Sequence, residues 1–241
     1  MSFRAILPCM ATLYVVATPI GNLEDITQRA LKTLAAVDYV ACEDTRHTLA
    51  LLSHYGLKKR LVSHYSYNER ASAQRIINLL QEGSDVALVT DSGTPCISDP
   101  GAYIVRLARD KGFTVSPIPG PSALGALLSV AGLPVKGVSF QGFLSPKKGR
   151  RKNQLHKLLE AGEGFILYES PMRVASVLAD LADLAPERPL AVGRELTKLH
   201  EEVLTGTARE ILTELEKKPK ILGEFSLLVA GTKSIKEYGD E

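Results

Sequence analysis

Apolar and polar positions follow two periods along this chain, and the switches between them mark out its elements. Leu13-Tyr14-Val15-Val16-Ala17 is a short apolar run that empties into Thr18-Pro19-Ile20-Gly21-Asn22, the pattern of a buried strand ending in a turn. Asp25-Ile26-Thr27-Gln28 then opens a helix over 27–36 in the manner of a capping box. The same order recurs three times. Tyr39-Val40-Ala41-Cys42 precedes a helix at 45–55, and Leu61-Val62-Ser63 precedes one whose Ala73, Ile76, Ile77 and Leu80 share a face. Val86-Ala87-Leu88-Val89 precedes a helix over 100–111 with Pro100 in its first turn, and Thr114-Val115 is a last short strand. Strands alternating with helices predict a mainly parallel sheet.

Pro117-Ile118-Pro119-Gly120-Pro121 interrupts this rhythm with three prolines, which places a domain junction near 117–121. The expected division is an N-terminal extension at 1–11, an α/β domain at 12–118 and an α+β domain at 119–241, with Met10 a possible alternative start. An apolar helix over 122–131 can pack against both halves. In the second half Val138-Ser139-Phe140, Phe165-Ile166-Leu167-Tyr168, Leu190-Ala191-Val192 and Phe225-Ser226-Leu227-Leu228-Val229 read as strands. Val174, Val177, Leu178 and Leu181 form a helical stripe, Thr207 and Glu210 a capping box, and 201–205 an edge strand, so more of the pairing here is antiparallel.

At 241 residues and 45% hydrophobic, the chain can bury two modest cores. Its 29 basic and 27 acidic residues nearly cancel, so any contact with nucleic acid is local rather than a bulk attraction. Cys9, Cys42 and Cys96 are far apart and lack C-x-x-C spacing, which argues against a disulfide framework and a structural zinc site and for a reducing cytoplasm. No secretory segment and no apolar run near about 20 residues is present, so the expectation is a soluble protein without a membrane span.

G-x-G-x-x-G after a strand, G-x-x-x-x-G-K-[ST], H-E-x-x-H and G-x-S-x-G are all absent. What remains is a set of strand-exit loops at 18–22, 42–46, 91–101 and 119–123, all at the ligand edge of an open α/β sheet. The loop at 91–101 combines glycine, proline, Asp, Ser and Thr in a rigid polar segment. Glu43-Asp44-Thr45-Arg46 is either an N-cap built on Asp44 or Thr45, or a polar cluster that orients a hydroxyl and takes its proton. Tyr65 and Tyr67 either pack on neighbours or stack on RNA bases. The run Lys147-Lys148-Gly149-Arg150-Arg151-Lys152 is a solvated helix start or, as the working expectation, a mobile arm that grips phosphates. Arg194-Glu195-Leu196-Thr197-Lys198 has a plain alternative as an exposed salt-bridged loop.

Thr18-Pro19-Ile20-Gly21-Asn22-Leu23 with Asp25, Glu43-Asp44-Thr45-Arg46, Asn68-Glu69, the 91–101 loop, Pro119-Gly120-Pro121-Ser122-Ala123, Glu169-Ser170-Pro171-x-Arg173 and the 194–198 segment together resemble one family over 12–231. It is the bacterial 16S rRNA (cytidine(1402)-2'-O)-methyltransferase family, in the tetrapyrrole-methylase-like superfamily. The resemblance implies S-adenosylmethionine as methyl donor, a cofactor cleft between two domains, a homodimer, and 16S rRNA of the small ribosomal subunit as partner. It assigns the donor to Pro19, Gly93, Thr94, Ile97, Ser122, Ala123 and Tyr168, with Leu144 and Glu224. Removing the proton from a ribose hydroxyl requires a base in hydrogen-bond reach, for which Glu43, Asp44, Glu69 and Lys198 are candidates, Lys198 only if its pKa is lowered. Arg46, Arg173 and Arg194 then bind phosphates or orient carboxylates, Lys147, Lys148, Arg150, Arg151 and Lys152 hold RNA, and Asp91 and Asp99 shape the donor loop. The rival readings are a same-fold methylase of a tetrapyrrole or a protein side chain, and a non-catalytic module that binds RNA or the ribosome.

Overall fold

The computed structural model describes residues 11–133 and 137–232, so the extension before Ala11, with Cys9 and Met10, lies outside the described residues. Two compact units divide the chain after Ser122. No helix among the described residues is long and apolar enough to cross a membrane.

In the first unit the apolar runs form β1 (Thr12–Val16), β2 (Tyr39–Cys42), β3 (Arg60–Ser63), β4 (Val86–Leu88) and β5 (Thr114–Ile118). They lie in the order β3-β2-β4-β1-β5, and every neighbouring pair is parallel. α1 (Gln28–Ala36), α2 (Thr45–His54), α3 (Glu69–Gln81) and α4 (Ala102–Asp110) cross between them. Because strand side chains alternate, the sheet feeds two cores. Leu13, Val62, Val86 and Leu88 pack with Ile76, Ile77, Leu80 and Ile104 on one side. Val16, Val40, Ala87 and Val89 pack with Ala30, Leu34 and Leu52 on the other.

The second unit holds α5 (Ala123–Val130), β6 (Val138–Phe143), α6 (Lys148–Ala161), β7 (Gly164–Glu169), α7 (Val174–Leu184), β8 (Pro189–Arg194), β9 (Glu202–Thr207), α8 (Ala208–Glu216) and β10 (Phe225–Val229). Its sheet runs β6-β7-β10-β8-β9, with β6 and β7 parallel and the remaining pairs antiparallel. Phe165, Leu167, Leu190, Val192, Leu227 and Val229 meet Leu155, Val177, Leu178, Leu181, Ile211 and Leu215 in a single core. The Thr207–Glu210 capping box forms as read, Thr207 N–H donating to Glu210 Oε2 at 2.8 Å.

Four local expectations change. β5 continues through Pro117 to Ile118, because it is an edge strand on which a missing N–H leaves no inner ladder bond unmade. α4 starts at Ala102, not Pro100, since Gly101 before it sits at φ +134, where no helix can begin. The cap of α1 is Thr27, whose hydroxyl accepts from Ala30 N–H, while Asn22 caps a separate 3-10 turn at Leu23–Asp25. The basic run is not a mobile arm: it forms the first turn and a half of α6.

Candidate active site

All five strands of the first sheet end on one edge, so their exit loops are neighbours by construction. The loops after β1 and β4 are tied by a two-way backbone bridge, Thr18 N–H to Gly93 O at 2.9 Å and Gly93 N–H to Thr18 O at 3.2 Å. The buried Thr18 hydroxyl donates to Thr90 O at 3.1 Å. Thr94 Oγ1 donates to Pro121 O at 3.1 Å, which brings in the loop after β5. Gly93 has φ +86, and a Cβ there would stand 3.2 Å from Ile20 Cγ2 and 3.7 Å from Pro121 O. The sequence-assigned donor positions Pro19, Gly93, Thr94 and Ser122 therefore belong to three loops that are bonded to one another. Ile97 stands further along the 91–101 loop and is exposed.

Next to them lies a carboxylate group. Glu43 is half-buried, and burial, then the charges of Asp91 and Asp99, push its carboxyl above the ordinary value. Burial, and then the charge of Asp91, likewise push Asp99 up. No ion pair reaches any of the three among the described residues. Asp91 Oδ1 accepts the Asp44 N–H at 3.1 Å, which fixes the β2 exit against the β4 exit.

The other base candidates are engaged. Asp44 is the cap of α2, accepting from Arg46 N–H at 2.8 Å and pairing with the Arg46 guanidinium at 2.8 Å; those bonds hold its carboxyl down at about 2. Glu69 Oε1 accepts from Gly101 N–H at 3.3 Å and so secures the start of α4. Lys198 sits 2.9 Å from both Glu195 and Glu224. Burial alone would lower its pKa, but the two carboxylates outweigh that and raise it, so the condition for Lys198 as a neutral base is not met. Glu224 is the exposed partner in that pair.

The second unit has its own ordered edge. Tyr168 Oη accepts the Leu124 N–H at 3.0 Å at the start of α5, just after Ala123, and its ring meets Phe140 and Phe143 edge-on. Arg173 pairs at 2.7 Å with Glu169, itself only 2% exposed, and donates to the carbonyl of buried Leu144 at 3.3 Å. Arg194 donates to Leu222 O at 2.7 Å and lies 3.5 Å from Glu202. These two arginines brace loops. In the loop beyond Arg194, Glu195 and Thr197 adopt left-handed φ of 51 and 66, and the buried Thr197 hydroxyl has no hydrogen-bond partner among the described residues.

The basic run splits in two. Arg151 is buried and pairs at 2.7 Å with buried Asp180, which takes it away from phosphate, and Lys152 lies 3.1 Å from the exposed Asp183. Lys147, Lys148 and Arg150 are exposed. Sequence reasoning gave Thr18 and His64 no role of their own and Asp99 only a loop-shaping one. His64 is 1% exposed, its Nδ1 lies 2.7 Å from Ser72 Oγ, and burial lowers its pKa although Glu69 opposes that. The signal for it was its place directly after a strand; Thr18 and Asp99 gave none beyond belonging to polar turns.

Residues 12–212 match the family described as Tetrapyrrole (Corrin/Porphyrin) Methylases. Ribosomal RNA small subunit methyltransferase I of Neisseria meningitidis serogroup B is 48% identical over 85% of this chain and 70% of its own. The protein of that name from Thermotoga maritima is 43% identical over 92% of this chain and 99% of its own. Among solved structures, a uroporphyrin-III-C-methyltransferase from Thermus thermophilus superimposes with a TM-score of 0.61 at 24% identity, covering 95% of this chain and 98% of that one. A cobalt precorrin-4 methyltransferase of cobalamin biosynthesis gives 0.64 at 18% identity, over 91% and 94%. At those identities the two structures speak for the fold alone.

Proposed function

The chain belongs to the tetrapyrrole methylase family and, within it, to the small-subunit ribosomal RNA methyltransferases I, and from that premise we propose that it methylates the ribose 2'-oxygen of cytidine 1402 in 16S rRNA. The methyl donor is S-adenosylmethionine, which supplies a sulfonium-bound methyl and leaves as a neutral thioether. The bonded loops at Pro19, Gly93, Thr94 and Ser122 support this donor assignment, because Gly93, at φ +86 and with Ile20 Cγ2 3.2 Å from where a Cβ would stand, lets three strand-exit loops close on one another where a side chain would push them apart. Ile97, Ala123, Leu144, Tyr168 and Glu224 complete the proposed donor set. The Tyr168 hydroxyl holds the first turn of α5, where Ala123 stands.

The observation that carries the reading is Glu43. Of the four base candidates it is the one whose carboxyl is held above its ordinary value, with no ion pair reaching it among the described residues, while Asp44, Glu69 and Lys198 each serve another bond. A ribose hydroxyl is a very weak acid, so the protein must align it and accept its proton during attack; a carboxylate of raised pKa at the loop edge suits that task. The substrate cytidine reaches the edge unstacked from its neighbours. Arg46, Lys147, Lys148 and Arg150 are the exposed cations offered to its phosphates. On this reading the protein works in the cytoplasm as a homodimer, and exposed Met172 and Leu199 supply apolar surface for a second copy.

Methyl transfer from labelled donor to assembled small subunits, to naked rRNA and to a uroporphyrinogen-type acceptor tests the proposal. Label should enter the ribose of one cytidine in the ribosomal substrates and leave the tetrapyrrole untouched. Transfer to the tetrapyrrole alone would reject it, and absence of donor binding by calorimetry would favour a silent RNA-binding module.

A further inference from the structure

The turn after β3 exposes more aromatic surface than folding requires. Tyr67 is 100% exposed and Tyr65 39%, on a 3-10 turn at Ser66–Asn68 that runs directly into α3. The turn is fixed from within: Tyr65 N–H donates to Asn68 Oδ1 at 2.8 Å and Asn68 N–H to Tyr65 O at 3.0 Å. It is also fixed from below. Ser72 Oγ donates to Asn68 O at 2.9 Å and meets buried His64, whose N–H donates to Cys42 O at 2.8 Å. Cys42 precedes Glu43, so the aromatic turn and the proposed base leave adjacent parallel strands. Glu69, the residue after the turn, holds Gly101 at the end of the 91–101 loop.

The bonded turn fixes where both tyrosines leave the backbone, and there the Tyr67 ring stands wholly in water while Tyr65 is partly covered. Arg46 on the neighbouring exit and Arg70 just after the turn are exposed as well. Aromatic faces flanked by guanidinium groups are the chemistry that receives a single strand, bases on the rings and phosphates on the cations. We propose that Tyr67, with Tyr65 beside it, is a stacking platform for an unpaired base next to the methylated cytidine. This rests on the ribosomal RNA reading above and adds to it how the strand is held open.

The test measures binding of a fluorescent single-stranded RNA oligonucleotide bearing the target sequence to the full chain and to its Tyr67→Ala and Tyr67→Phe variants. The expected result is a dissociation constant about five- to a hundredfold weaker for Tyr67→Ala and within about twofold of the parent for Tyr67→Phe. The ring makes no packing contact that folding depends on, so both melting temperatures should match the parent. Equal binding by Tyr67→Ala overturns the platform, as does a Tyr67→Phe variant as weak as Tyr67→Ala, which would make the hydroxyl the contact. Ring-dependent binding by a protein that methylates no RNA overturns the catalytic reading and leaves the platform. A parent chain that binds no RNA oligonucleotide overturns the platform, while the catalytic reading stands or falls separately by methyl transfer to assembled small subunits.

Discussion

Glu43 and Asp44 are chain neighbours with the same chemistry and opposite surroundings. Asp44 turns toward Arg46 and the start of α2, which keeps it ionised down to about pH 2 and gives it no titration near neutrality. Glu43 faces two further carboxylates across a half-buried edge. As a base it must be ionised, so the single-turnover rate should rise with pH through a value above the ordinary 4.5. Glu43→Gln should slow that step by about 10²- to 10⁴-fold with donor affinity unchanged by calorimetry. A raised folded pKa means that whatever this group adds to stability is present below the unfolded value and is lost as pH climbs through the folded one. Glu43→Gln should then melt no lower than the parent at pH 7, which separates a lost base from a lost fold. Asp44→Asn, which keeps a cap, should retain most of the rate. The sequence placed both residues at a strand exit but could not tell them apart. What distinguishes them is the burial of Glu43 and then the charges of Asp91 and Asp99, which only the packing of β2 against β4 brings near.

At the scale of elements, hydrophobic period was a good guide and charge was a poor one. The stripes Ala73-Ile76-Ile77-Leu80 and Val174-Val177-Leu178-Leu181 are buried on α3 and α7, because a period of 3.6 reports a face without reference to what covers it. Lys147 to Lys152 looked like one cationic arm because a sequence shows no partner for Arg151; the partner, Asp180, lies on the next helix. Their side chains are only 7% and 5% exposed, so each charge depends on the other. Asp180→Ala should cost about 3–5 kcal/mol in chemical denaturation, since it leaves a guanidinium buried alone. Replacing both residues together, Arg151→Met with Asp180→Leu, should restore most of that loss. If the single substitution proves as mild as a surface change, the pair is not the brace between α6 and α7 that the geometry makes it.

For the molecule as a whole, the two-unit plan, the parallel and mixed sheets and the family were legible in the sequence, because collinear strand-exit motifs survive without knowledge of the contacts between them. The charge distribution was legible as a near-zero sum of +2 and one basic run at 147–152, but not in which of that run's cations are paired. Lys147, Lys148 and Arg150 occupy the N-terminal end of α6, whose first turn contains no acid. Cations there oppose the helix dipole by about 0.3–1 kcal/mol each, so folding gains nothing from them. Binding to a polyanion would explain their placement. Changing all three to glutamine should therefore leave the melting temperature equal or higher while RNA binding weakens at low salt. With about 0.7 released counterion per neutralised charge on a single strand, the slope of log affinity against log salt should flatten by about 2. Arg151 and Lys152, occupied by Asp180 and Asp183, are left unchanged in that variant, so the fold is not disturbed by the test. A higher melting temperature with an unaltered salt slope would show that these cations burden the helix without serving the RNA, and would move the phosphate contacts to the first unit, where Arg46 and Arg70 flank the tyrosine turn.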